Sequence, residues 1–278
     1  MRRPILASCL LLAMMFGAAA QSPPHRIVSA NLCADQLLME LADADQIASL
    51  SPFARDSNLS WFAEKAHEIP TNRGGGEDIV RLDADLVLVG PYDNRYTRAL
   101  LAARGMRFLV LDSWTSFGDG AAQIRSFSAL LGHPERGDAL IRRIEQGLAR
   151  IDAIGASRTK VVTSLVLHRR GFVYHAGLTG EITQRAGLTD LAPAMGFPDS
   201  GFVSLETLVT ARPDYLIVSE SESRAMDQGQ AFLTHPALRT HWPQARRLVL
   251  PDRMTICGGP ATPGLIEQFA AQISAKVK

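Results

Sequence analysis

E-D-I-V-R-L-D-A-D-L-V-L-V-G, from Glu77 to Gly90, aligns without a gap on E-T-L-V-T-A-R-P-D-Y-L-I-V-S, from Glu206 to Ser219, with Glu77 on Glu206 and Asp85 on Asp214. Each copy reads as an acidic first turn, a short helix, an Asp-containing turn and a buried strand. Matching Glu, Asp and apolar positions in one gapless alignment predict two structurally equivalent lobes. Outward from these copies the pattern holds. Arg26 to Ser29, Ile47 to Leu50, Leu86 to Val89 and Phe108 to Leu111 read as strands, with helices over Ala34 to Leu41 and about Arg95 to Arg104. Val161 to Leu167, Tyr215 to Val218 and Arg247 to Leu250 restart the series, and Pro263 to Ile273 closes it with a helix. Strands alternating with helices predict an α/β fold of parallel sheets covered by helices.

The expected divisions are a leader over 1–20, an α/β lobe over 26–116, a connecting helical segment over 117–154 and a second α/β lobe over 159–278. Arg2 and Arg3, the apolar run Ile5 to Gly17 and Ala18-Ala19-Ala20 have the layout of a cleaved export signal. The connecting segment carries Ile124, Phe127 and Leu131, then Leu140, Ile144, Leu148 and Ile151 at spacings of three and four, interrupted by Gly132-His133-Pro134. Two lobes joined by one long helical segment leave a cleft at the carboxyl ends of their strands, where α/β proteins bind ligands.

The 278 residues are 46% hydrophobic and 21% charged, with a net charge of +1. That is too apolar for a disordered chain, and the mixing of charges leaves no basic stripe for nucleic acid. There is no phosphate-binding Gly-rich loop: Gly74-Gly75-Gly76 is followed by Glu77, whose charge would repel a phosphate. No G-x-S-x-G or H-E-x-x-H occurs. Export places Cys33 and Cys257 where disulfides persist. Neither lies in a C-x-x-C arrangement, so a structural zinc site has no support, and whether the two pair depends on how the fold places them.

Aromatic and basic residues collect instead in the loops after the strands: Trp61, Arg73, Tyr92, Arg95 and Trp114 in the first half, and His168, Tyr174 and Arg253 in the second. Rings supply contact area and guanidinium groups supply paired donors, a combination suited to a large, flat or anionic ligand. Solvated loop charge is the plain alternative for any one of them.

R-I-V-S-A-N-L-C-A-D-Q-L-L at the mature start, together with the two repeat copies, resembles the periplasmic substrate-binding proteins of ABC importers for metal chelates. The resemblance covers nearly the whole mature chain. It implies two Rossmann-like lobes joined by a long helix, no catalysis, no resident cofactor, and one ligand of the ferric siderophore, haem or cobalamin class. That ligand would be held between the lobes, with Asn31 added to the contacts above. It also implies a monomer that docks on a permease dimer through Glu77 and Glu206, one per lobe. Cys33 and Cys257, in equivalent loops of the two lobes, are candidates for a disulfide at the cleft. The basic loops favour an anionic chelate, and a chain with only Trp61, Trp114 and Trp242 is poor in tryptophan beside cobalamin-binding relatives. Two other classes stand beside this one: a periplasmic hydrolase or metal-dependent enzyme using His168 and His175, and a zinc- or manganese-binding protein, for which three or four convergent ligands would be needed.

Overall fold

The computed structural model describes residues 22–174, 176–219 and 231–277. The expected leader and His175 lie outside them. The first lobe contains β1 (Ile27–Ser29), β2 (Ile47–Ser49), β3 (Leu86–Val89) and β4 (Phe108–Val110), all parallel, in the order β2-β1-β3-β4. The second contains β5 (Val162–Val166), β6 (Phe172–Tyr174), β7 (Leu188–Asp190), β8 (Ser200–Phe202), β9 (Tyr215–Val218) and β10 (Arg247–Val249). Of these, β7-β5-β9-β10 form a second parallel sheet, and β6 and β8, separated in the chain by a helix and β7, pair as a two-stranded antiparallel sheet. The two parallel sheets have one topology, with β3 and β9 in equivalent central places.

The repeat copies explain why. Leu86, Val87, Leu88 and Val89 are all buried, as befits a strand covered on both faces. In both copies the chain leaves the short helix through a left-handed residue at the same aligned position, Asp83 (φ 48°) and Arg212 (φ 47°). The shared aspartate then does the same work twice. Asp85 accepts a hydrogen bond from the His25 amide just ahead of β1 (2.7 Å), and Asp214 accepts from the Thr163 amide and hydroxyl in β5 (both 2.8 Å). Each aspartate thus fastens the central strand of its lobe to the adjacent strand.

The connecting segment is two helices rather than one. Phe117–Leu131 ends at Gly132, whose φ of 88° ends the helix in the left-handed region that favours glycine. Pro134 opens Pro134–Ala156, which turns back along the first, so that a Cβ on Gly137 would meet Ser128. The expected interruption is therefore a full reversal, and the second helix runs on as the long bridge between the lobes. Its 23 residues reach about 34 Å at 1.5 Å per residue. Its stripe of Leu140, Ile141, Ile144, Leu148 and Ile151 is buried in one apolar cluster that contains Leu86 and Leu88 of the first sheet and Val166, Ile217 and Leu248 of the second.

Close packing at the far end of this helix is testable. A Cβ on Gly155 would stand 2.1 Å from the Arg185 carbonyl oxygen, a backbone atom that cannot swing aside. Gly155→Ala gains about 1 kcal/mol of helix propensity. The overlap costs more, so we expect a net loss of about 1–3 kcal/mol and a melting temperature lower by a few degrees. An unchanged or raised melting temperature would mean that the turn at Arg185 does not pack on the helix.

Candidate functional site: the cleft between the lobes

The first wall is made by the loops after β1, β2, β3 and β4. Asn31 caps the helix Leu32–Leu41, its Oδ1 accepting from the amides of Cys33 (2.9 Å) and Ala34 (3.3 Å). Its Nδ2 donates to Asp93 (3.2 Å), whose other oxygen accepts from the Gly90 amide (2.6 Å). Gly90 is required here, since a Cβ would lie 2.3 Å from the Asn31 amide nitrogen. Asn31 therefore serves first as cap and brace, and the turn it braces presents Tyr92 with 89% of its surface exposed. Trp61 rests near Gly264 of the closing helix Thr262–Lys276 (3.7 Å to a Cβ placed on that glycine), leaving its ring partly open.

The second wall comes from the loops after β5 and β10 and from the antiparallel pair β6–β8. The His168 amide donates to the carbonyl of Phe172, the first residue of β6 (2.7 Å). Burial lowers the pKa of its imidazole, against an opposing pull from the charge of Asp252. This favours the neutral ring at neutral pH. Tyr174 is partly exposed, and Phe202, whose ring lies 5.3 Å from that of Phe172, is more so.

The walls meet along one flank. Cys33 and Cys257 are bonded, with sulfurs 2.07 Å and Cα atoms 5.2 Å apart, joining the first turn of Leu32–Leu41 to the loop after β10. Beside them the Trp114 indole fills space left by two glycines, one in the helix Phe117–Leu131 and one in the second lobe: a Cβ on Gly120 or on Gly258 would stand 2.4 or 2.2 Å from the ring. Its Nε1 donates to Gln123 (2.9 Å). Glu181 of the second lobe accepts from the Phe117 amide at the start of Phe117–Leu131 (2.8 Å). Next to this seam lies a cavity of about 940 Å³ built by the loop after β3 with Tyr92, by β4 and the loop after it with Trp114, and by the face of Phe117–Leu131 that carries Gln123 and Phe127; the second lobe contributes Tyr174 to its lining.

The expected cations are distributed differently. Arg73, Arg95 and Arg253 are exposed and none lines that cavity. The Arg95 guanidinium donates to the Tyr96 hydroxyl (3.0 Å) and lies over its ring. Phe53 after β2 and Phe202 in β8 are exposed apolar residues that position in a loop after a strand does not single out, and Ile256 after β10 is exposed as well. Among the described residues no group of three His, Cys, Asp or Glu side chains converges as a metal ion would need.

Glu77 and Glu206 occupy the second position of the helices Gly76–Arg81 and Leu205–Ala211, and both are exposed. Hydrogen bonds from its own amide and from Ser204 hold the Glu206 carboxyl below its ordinary range.

Two parallel lobes of one topology, joined by a helix shared by both cores and fastened to each other by Cys33–Cys257, define a two-lobed α/β fold. The chain belongs to the periplasmic binding protein family, whose model matches residues 27–241. It is accordingly a binding protein of an extracytoplasmic family rather than an enzyme. No curated protein sequence matches it. Among solved structures it is similar to the periplasmic haem-binding protein RhuT from Roseiflexus sp. RS-1 in its apo form, at 22% identity and a TM-score of 0.69, covering 90% of this chain and 97% of that one. It is similar to a periplasmic haem-binding protein from Pseudomonas aeruginosa at 19% identity and a TM-score of 0.70, covering 91% and 94%. It is also similar to the periplasmic vitamin B12-binding protein BtuF of Vibrio cholerae at 19% identity and a TM-score of 0.67, covering 92% and 99%. At these identities the likeness is one of fold.

The disulfide predicts that thiol counting on the unfolded, unreduced protein finds Cys33 and Cys257 both blocked. Replacing both by Ser should cost about 2–5 kcal/mol, the usual range for a native bond. Two free thiols would exclude it.

Proposed function

We propose that this protein captures a metal chelate of the ferric siderophore, haem or cobalamin class between its lobes and delivers it to an ABC permease. The observation that carries this reading is the cavity with Tyr92 and Trp114 on one side and Tyr174 on the other. Rings contributed by two rigid lobes suit a broad, flat ligand gripped from both sides. Haem and vitamin B12, the ligands named for the similar structures, are of that shape. Arg73 and Arg253, exposed in loops of opposite lobes, are the cations available to an anionic periphery, whereas Arg95 is already engaged by Tyr96.

Native mass spectrometry with an absorbance spectrum, on protein recovered from its own extracytoplasmic compartment, tests the reading. A bound species with the mass and colour of a metal chelate is expected. Recovery of a colourless sugar, peptide or bare metal ion would reject it.

Delivery adds a second test. Glu77 and Glu206 present one negative charge per lobe at equivalent first-turn positions, as a roughly two-fold permease would require. Reversing either to Lys should abolish or greatly slow uptake while chelate affinity and melting temperature stay nearly unchanged, because exposed charges contribute little to stability. Normal uptake by both variants, at parental levels of folded protein, would leave these residues as helix-start charges.

A further inference from the structure

The charges that line the cavity beside Trp114 all have one sign. Asp112, in the loop after β4, and Asp119, in the first turn of Phe117–Leu131, are its only ionised side chains among the described residues. Neither forms an ion pair with a described residue. Hydrogen bonds from Thr115 and Ser116 hold the Asp119 carboxyl below its ordinary range, so it stays a carboxylate at neutral pH. The helix start offsets part of that charge. Asp112 is exposed and adds a second. The remaining polar groups of the lining are neutral: the hydroxyls of Ser113, Thr115 and Ser126, the Gln123 amide and the two tyrosines.

The second lobe repeats this sign across the seam. Thr115 also borders a second cavity, of about 600 Å³, whose ionisable lining residues are Glu181 and Asp190. Arg185 is spent on Glu181 and Asp152 and does not reach that lining. The other cations stand outside both cavities. Arg95 lies over Tyr96, and Arg73 and Arg253 are exposed, where water and salt screen their pull. An anion laid among the rings would lose hydration, face carboxylates, and gain no donor of opposite charge from the wall.

We propose that the cavity selects chelates by charge: it takes one whose edge is made of amide, ester or hydroxamate groups and rejects one whose edge is made of carboxylates. This rests on the chelate capture proposed above and narrows its ligand. Hydroxyls both donate and accept, as the Gln123 amide does, so the neutral lining can replace the water around an amide or hydroxamate edge while the rings cover a flat face. Haem carries two carboxylates at its edge and suits this wall less than a corrin fringed with amides or a ferric hydroxamate. Those two share the favoured chemistry, and the arms of the experiment separate them.

Matched ligand pairs isolate charge. Dicyanocobinamide and dicyanocobyrinic acid share one corrin ring, fringed with amides in the first and carboxylates in the second. Ferrioxamine B and its N-succinyl derivative share one ferric hydroxamate, cationic in the first and anionic in the second. In calorimetry on the ligand-stripped protein at neutral pH and low salt, the first member of whichever pair binds should be tighter by about tenfold or more, a margin that shrinks as salt is raised. Equal binding, or tighter binding of the carboxylate member, would overturn charge selection while leaving chelate capture standing. Tight binding of haem with neither pair bound would do the same. If haem and both pairs fail to bind, capture of these chelates fails, and charge selection with it. Asp112→Asn then locates the effect: the margin should fall severalfold. An unchanged margin, in a variant that melts as the parent does, would put the selecting charge outside the cavity and reject the assignment. The ligand pairs need no variant, so they decide the matter even if Asp112→Asn misfolds.

Discussion

The packing of Pro134–Ala156 into both lobes at once is the constraint on which the rest of the molecule depends. One face of this helix is buried in an apolar cluster that reaches from Leu88 in the first sheet to Ile217 and Leu248 in the second. Rotating one lobe against the other would expose apolar surface on this helix, at roughly 25 cal/mol for each Å². Because both sheets are parallel, all of their carboxyl ends open toward loops, and the shared core points those loops at each other. The cleft is thus a by-product of strand direction and helix packing, and its seam is fastened by Cys33–Cys257 and by Trp114 wedged between two glycines.

Where the sequence is strongly periodic, the fold was legible. The gapless repeat located β3 and β9 to the residue, since a run of apolar positions, four buried in β3 and three in β9, bounded on one side by an Asp turn leaves little freedom. The reversal at Gly132 was visible as Gly-His-Pro, but its consequence was not: a two-residue break inside an apolar stripe reads equally as a kink, and only packing against Ser128 makes it a hairpin. The strands β6, β7 and β8 went unread. Each has three residues, and Leu188–Asp190 and Ser200–Phe202 carry a single large apolar residue apiece, too little for any period to register.

The site was legible in part, for a different reason. Loop position alone drew attention to Tyr92, Trp114 and Tyr174, and these three line one cavity. Position could not reveal that Asn31 spends its side chain on a cap, that Arg95 is held by Tyr96, or that Trp114 also seals the seam, because these roles depend on partners far apart in the chain.

Gripping of one ligand by both lobes is the central claim, and hydrogen exchange read by mass spectrometry tests it most directly. The measurement compares the protein stripped of the species that co-purifies with it and the protein saturated with that species. The account predicts simultaneous protection of segments 51–61, 90–96, 168–174 and 252–256, two from each lobe. Protection confined to one lobe, or falling at the amino ends of the strands, would contradict it.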